Sequence, residues 1–250
     1  MQLQLATWPE VEAYLARSSG IIVPIGSFEQ HGPTGLIGTD AICAEVIAAR
    51  AGAEADILVG PTFNVGVAQH HMAFPGSMTL RPATFVAVIR DWVNSLAQHG
   101  FEKIYFLNGH GGNIATLNSA FAELNADVSL GGHGINQQRV IPDCVQQSWW
   151  LLPGIYDLCK QLYPQGHGGH ATPSEVAVTQ FAYPDHIKHV PLEPETAPSG
   201  RFTHAAQYRE KFPDGRIGSN PALATPEDGE RLVAAAVKAL IADFRHFLNS

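Results

Sequence analysis

The chain has 250 residues, of which 45% are apolar and only 15% charged, and its formal net charge is −8. Fifteen lysines and arginines scattered along an acidic chain exclude the basic surface typical of nucleic-acid-binding proteins. The three cysteines are an odd number without CxxC spacing, which argues against a disulfide framework and against a cysteine zinc site. The low charge density favours an oligomer in which neighbouring subunits cover part of the surface. A monomer with a charge-poor surface is the alternative.

The first ten residues, MQLQLATWPE, contain neither a basic segment nor an apolar one, so we expect no secretory signal. The chain has no run of 18 apolar residues, so we expect no membrane span. The sequence therefore predicts a cytoplasmic protein that binds neither nucleic acid nor membrane.

Helices and buried strands alternate in the first part of the chain. Thr7 and Glu10 have the spacing of a capping box, and Thr39 is placed to cap the next helix. The predicted elements here are a helix over 9–18, a strand over 21–26, a helix over 40–51, a strand over 56–60 and a helix over 82–99.

The same alternation continues to the C-terminus. The predicted elements are a strand over 103–107, a helix over 113–124, a loop over 131–134, a strand at 140–141, helices over 153–162 and 173–181, long loops over 184–224 and a helix over 226–248. Strands that alternate with helices favour βαβ units and a mainly parallel central sheet covered on both faces. We predict an α/β fold in one domain over residues 1–250.

Ligand-type side chains collect where two of the predicted strands end. Glu29 and His31 follow the first strand, Asp40 begins the next helix, and His110 follows the strand at 103–107. In open α/β sheets, ligands bind beyond the carboxyl ends of the strands. Glu29 and His31 are two residues apart, so in extended backbone their side chains point to the same side. We therefore expect these four residues to face one site.

A third group of candidates, His167, His170 and Glu175, lies just before or within a helix start. A mixture of carboxylates and imidazoles suits Zn²⁺, Mn²⁺ or Fe²⁺. A shared carboxylate can bridge two such ions, which together activate water. Polar loops without any metal are the alternative.

The remaining histidines carry weaker predictions. Two interpretations stay open for His70 and His71, since their loop could line the site or face solvent. Five other histidines are expected at the surface, and these are His133, His186, His189, His204 and His246.

Three segments together resemble the creatininase (creatinine amidohydrolase) family. They are GSFEQHGP at residues 26–33, GTD at 38–40 and NGHGGN at 108–113. The resemblance implies a three-layer α/β/α fold, a homohexamer and a two-metal centre. It implies that Glu29 and His110 hold one ion, that His31 holds the other, and that Asp40 bridges the two.

The resemblance also assigns roles near residue 170. Creatininase itself has a glutamate ligand two residues after the histidine of NGH, where this chain has Gly112. Other branches carry a later H-A-G-E-x-E stretch, which HATPSE at residues 170–175 resembles. This implies Glu175 as a further metal ligand and catalytic residue, and His170 as the histidine that carries a proton to the leaving nitrogen. This chain has Gly112 in place of the glutamate ligand, and it has a glycine-rich segment around Gly166 in place of the family's tryptophan loop. Both differences indicate a substrate other than creatinine.

These observations predict a metal-dependent amidohydrolase that cleaves a small cyclic or formyl-type amide. We expect two divalent ions, Zn²⁺ first, with Mn²⁺ or Fe²⁺ served by the same ligands. The alternatives are a metallopeptidase that processes peptides in cofactor maturation and a non-hydrolytic metalloprotein.

Overall fold

The computed structural model describes residues 1–130 and 141–250. Three strands of the described chain form one parallel sheet in the order β1–β2–β3: β1 (Gly20–Ile25), β2 (Lys103–Asn108) and β3 (Asp143–Ser148). All three strands run in the same direction, so their carboxyl ends lie at one edge of the sheet.

The described residues contain eight α-helices, most of which pack on this sheet. They are α1 (Trp8–Leu15), α2 (Thr39–Ala55), α3 (Pro82–Gln98), α4 (Ile114–Ser129), α5 (Ile155–Leu162), α6 (Pro173–Ala182), α7 (Ala205–Lys211) and α8 (Pro226–Leu248). No helix in the ranges that the structure describes is long and apolar enough to cross a membrane.

Alternate residues of the central strands face two separate hydrophobic cores. Ile22 and Tyr105 pack with side chains of α2, α5, α6 and α8. Their chain neighbours Ile21 and Ile104 pack on the opposite face, with side chains of α1, α3 and α4. Successive side chains of a strand point to opposite faces of the sheet, so helices cover both sides. The predicted three-layer α/β/α fold with a parallel sheet is confirmed.

The predicted strand over 56–60 is wrong as a regular strand. The segment does run beside β1, where Ile22 donates to the carbonyl of Leu58 and accepts from the N–H of Gly60. Only isolated bridges form there, such as Ile22 with Val59. Pro61 follows at once and has no N–H to continue the ladder.

Three further expectations need correction or fall outside the description. Thr39 does not cap α2, because Gly38 holds the cap position and the Thr39 hydroxyl donates to the carbonyl of Leu36 at 2.6 Å. The predicted loops over 184–224 contain the short helix α7, in which Tyr208 is the one buried residue and gives no periodic pattern. The strand predicted at 140–141 is wrong for Ile141, the one of its two residues that the structure describes, because β3 begins at 143. The predicted loop over 131–134, His133 and residue 140 lie outside the described residues.

Candidate metal centre

The site lies beyond the carboxyl ends of β1 and β2, at the edge where the sequence places it. Glu29 and His31 follow β1, and His110 follows β2. Asp40 and Glu175 lie in the first turns of α2 and α6. Parallel strands bring these segments together because their carboxyl ends share one edge. The structure therefore places all five predicted ligands in one cluster.

The first ligand group consists of Glu29, Asp40 and His110. The Nδ1 atom of His110 lies 3.1 Å from Asp40 Oδ2 and 3.3 Å from Glu29 Oε2. All three side chains are buried, and neither of these carboxylate oxygens has a hydrogen-bond partner. Buried carboxylate oxygens without a partner are costly, and a cation would satisfy both.

The second group consists of His31, Asp40 and Glu175. His31 Nε2 lies 3.0 Å from Asp40 Oδ1 and 3.9 Å from Glu175 Oε2. Asp40 thus belongs to both groups and directs a different oxygen at each. This is the arrangement that a bridging carboxylate requires. A third group of Glu29, His31 and His170 overlaps the other two.

Backbone carbonyls fix the ring orientations of the two histidine ligands. His31 Nδ1 donates to the carbonyl of Glu29 at 3.0 Å, and His110 Nε2 donates to the carbonyl of Val67 at 3.1 Å. Each ring therefore presents its other nitrogen to the carboxylates. Such outer hydrogen bonds set the tautomer and the direction of metal-binding histidines.

Glu175 combines a structural contact with its place in the cluster. Its Oε1 accepts from the backbone N–H of Thr172 at 2.5 Å, and its own N–H donates to the Thr172 hydroxyl at 3.3 Å. This capping box at the start of α6 leaves Oε2 to face His31. The T-x-x-E spacing of residues 172–175 is the sequence signal that predicts this box.

The electrostatics of the cluster favour positive charge. Burial lowers the pKa of His31, but the charges of Asp40 and Glu175 outweigh it and raise the pKa to about 10. Burial likewise opposes the charged form of His110, yet Glu29 and Asp40 hold its pKa well above the ordinary value. Together with the unpartnered carboxylate oxygens and the N/O donor set, this field fits a divalent transition-metal ion.

His170 lies at the wall of the cluster, on a constrained loop. Its Nε2 donates to the carbonyl of Gln30 at 2.7 Å, and its Nδ1 lies 3.7 Å from Glu29 Oε1. The next residue, Ala171, is buried and has a φ of +54°, a conformation rare for a residue with a side chain. Ser219 donates to the His170 carbonyl at 2.6 Å. The loop therefore holds His170 in one orientation toward the cluster.

The structure settles the placement of His71 and His70, which sequence reasoning left open. His71 is 2% exposed, and its Nε2 lies 3.1 Å from Glu29 Oε1. His70 lines the adjacent cavity and stacks on Phe202. No local pattern predicts this, since Glu29 and His71 meet only through the fold. His186, His189, His204 and His246 are exposed, as predicted.

A cavity of about 440 Å³ opens onto the cluster. Trp149, Trp150, Tyr156, Phe202 and Ile217 are among its larger side chains. His167 also lines it and forms a 2.9 Å hydrogen bond with the Ser174 hydroxyl. Among the described residues, no lysine or arginine lines this cavity.

The geometry can be compared with known proteins. The family profile described as "Creatininase: Creatinine amidohydrolase" matches residues 4–244. The chain belongs to the creatininase family. It is therefore an enzyme, a hydrolase that acts on carbon–nitrogen amide bonds.

Relatives within the family differ in what their names describe. The creatinine amidohydrolase of Pseudomonas putida is 28% identical over 192 residues, which are 72% of this chain and 70% of that protein. The mycofactocin precursor peptide peptidase of Mycolicibacterium smegmatis is 28% identical over 231 residues, 87% of this chain and 81% of that protein.

Solved creatininases share the fold. A creatininase mutant complexed with creatine has a TM-score of 0.82 at 23% identity, over 98% of this chain and 97% of that one. Other similar creatininase structures include a Zn-Zn form and an Mn form. These forms support a divalent metal in creatininases.

Proposed function

We propose that this chain is a metal-dependent amidohydrolase with a two-metal centre, which cleaves a small cyclic or formyl-type amide. The observation that carries the proposal is Asp40, whose two carboxylate oxygens face two different ligand groups. Family membership favours hydrolysis over the non-hydrolytic alternative.

Each ion would have its own ligands. Glu29 and His110 would hold one ion, His31 and Glu175 would hold the other, and Asp40 would bridge them. When bound, such a pair of divalent cations polarises a carbonyl and supplies hydroxide from water at neutral pH. Zn²⁺ is our first choice, because a similar creatininase has a Zn-Zn form. The same N/O donor set also serves Mn²⁺ and Fe²⁺.

His170 would supply the proton for the leaving nitrogen. Its Nε2–H is held by the Gln30 carbonyl, so Nδ1 is the nitrogen that can accept and release a proton beside Glu29. A positioned acid–base group of this kind typically contributes about 10²–10⁴ in rate. We propose that Glu175 contributes to catalysis through its ligand position, since its Oε1 is committed to the capping box.

The cavity supports a small and uncharged substrate. Its volume of about 440 Å³ suits a small molecule. Aromatic side chains such as Trp150 and Phe202 offer flat apolar surface to a ring. A substrate carboxylate would find no lysine or arginine among the described residues that line the cavity.

Peptide processing is the second candidate function. The mycofactocin precursor peptide peptidases of Mycolicibacterium smegmatis and Mycobacterium tuberculosis match 87% and 88% of this chain, whereas the Pseudomonas putida enzyme matches 72%. A peptide would have to extend beyond the cavity into solvent. A shared metal centre serves both reactions, so only substrate trials separate them.

The test is turnover of the zinc-loaded protein on a panel of cyclic amides, formamides and short peptides. We expect the wild type to cleave a small amide. Asp40→Asn should lower the turnover rate by more than about 100-fold, because an amide nitrogen replaces one of the two bridging carboxylate oxygens. Asp157→Asn is the matched control, since Asp157 also lies in the first turn of a helix but is exposed. Cleavage of peptides alone would favour the second candidate, and equal activity in both variants would refute the site.

We also propose a cytoplasmic homohexamer. Exposed apolar side chains near the N-terminus support an oligomer, with Leu5 77% and Trp8 74% exposed. Sedimentation of the purified protein tests the assembly, and a monomer would contradict it.

A further inference from the structure

The side-chain amide of Gln30 has a defined orientation. The backbone N–H of Gly32 donates to its Oε1 at 2.8 Å, and its Nε2 donates to the carbonyl of Gly215 at 3.0 Å. A backbone N–H requires an acceptor and a carbonyl requires a donor, so the oxygen and nitrogen cannot be exchanged.

This orientation determines where His71 carries its proton. Gln30 Nε2 lies 3.0 Å from His71 Nδ1, and an amide nitrogen only donates. His170 Nε2 is equally near, but it uses its hydrogen on the Gln30 carbonyl and cannot accept. The Tyr208 hydroxyl, 3.1 Å away, also accepts from Gln30 Nε2. Whichever of these two partners the second amide hydrogen reaches, an Nδ1–H on His71 would face an amide nitrogen that cannot accept it, so the ring proton lies on Nε2.

The Nε2–H of His71 points at Glu29. It lies 3.1 Å from Glu29 Oε1, so this oxygen accepts a hydrogen bond from a ring that is 2% exposed. The other oxygen, Oε2, has no hydrogen-bond partner and faces His110 Nδ1 at 3.3 Å. The two oxygens of Glu29 thus have different tasks.

We infer that His71 is a positioning residue that selects which oxygen of Glu29 binds the metal, and that Gln30 fixes the tautomer in which His71 does so. The inference rests on the proposed metal centre. His71 is not one of the ligands, because its only nitrogen near the cluster carries the hydrogen. It acts through Glu29, as carboxylates that bind metals are themselves held by outer hydrogen bonds.

Three substitutions of His71 test the inference through Zn²⁺ affinity, measured by competition with a chromogenic chelator. His71→Gln can place an amide N–H where Nε2 lies, so we expect an affinity within about threefold of the wild type. His71→Asn is too short to reach Glu29, and His71→Leu cannot donate, so both should bind Zn²⁺ about 10–100-fold more weakly. His70→Leu is the matched control and should retain its affinity, because among the described residues it is His71, not its neighbour His70, that forms an ion pair with Glu29.

The outcomes separate the inference from a merely structural role. Equal losses in the Gln, Asn and Leu variants, or no loss in His71→Leu, would overturn it. If His71→Leu fails to fold, the contrast between Gln and Asn still decides. If Glu29→Gln binds Zn²⁺ as tightly as the wild type does, this result would instead overturn the proposed metal centre.

Discussion

Asn113 connects three segments that meet at the candidate metal centre. Its Nδ2 donates to the carbonyl of Gly26 at 2.9 Å, and its Oδ1 accepts from the N–H of Val67 at 2.9 Å. Asn113→Ala would leave both buried backbone groups without this partner. Each such group costs about 1–3 kcal/mol, so the free energy of unfolding should fall by about 2–6 kcal/mol.

Urea denaturation in the presence of a chelator measures this loss without a contribution from metal binding. The protein concentration must be equal for all variants, since an oligomer makes stability depend on it. Asn118→Ala is the matched control, because Asn118 is exposed on α4, the helix that Asn113 directly precedes, and should change stability by less than about 0.5 kcal/mol. A loss below about 1 kcal/mol in Asn113→Ala would refute the reasoning.

Three further predictions concern the ligand loops and their support. Gly112→Ala should weaken Zn²⁺ binding more than tenfold, because a Cβ there would lie 2.3 Å from His110 Nε2 and 2.6 Å from the Val67 carbonyl oxygen. Gly111→Ala is the control, because a Cβ at Gly111 would have no other atom within 4 Å. Equal Zn²⁺ affinities of the two variants in a chelator competition would contradict this prediction. Glu175→Gln should lower the zinc content from two ions per chain towards one by elemental analysis, and an unchanged content would exclude Glu175 as a ligand. Arg216→Met should lower the urea unfolding free energy by more than about 2 kcal/mol, because the carbonyls of residues 194, 195 and 219 lose a buried donor, and a smaller loss would show that water replaces it.

Much of the fold is predictable from the sequence because its signals are local. The helix over 226–248 has the bounds of α8, since Thr225 caps it and Pro226 opens it. The candidate ligands are predictable for a related reason: Glu29 and His110 follow buried apolar strands, and parallel strands end at one edge. Thr39 shows the limit of local signals, because a cap-type residue can lie one position inside the helix that it seems to begin.

The unpredicted parts of the site depend on contacts between distant segments. His71 lies 41 residues from Gln30 in the chain, and neither residue lies in a pattern that predicts their contact. The segment at 56–60 pairs with β1 only at isolated points, which its apolar composition does not reveal. The single-domain assignment over 1–250 and the roles of the site residues stay predictions.

The central claim is that Asp40 bridges two metal ions. A crystal structure of the zinc-loaded protein, with anomalous diffraction data at the zinc edge, tests it most directly. The account predicts two zinc peaks about 3.5–4 Å apart with Asp40 between them, one beside Glu29 and His110 and the other beside His31 and Glu175. A single peak, or zinc bound away from Asp40, would contradict it.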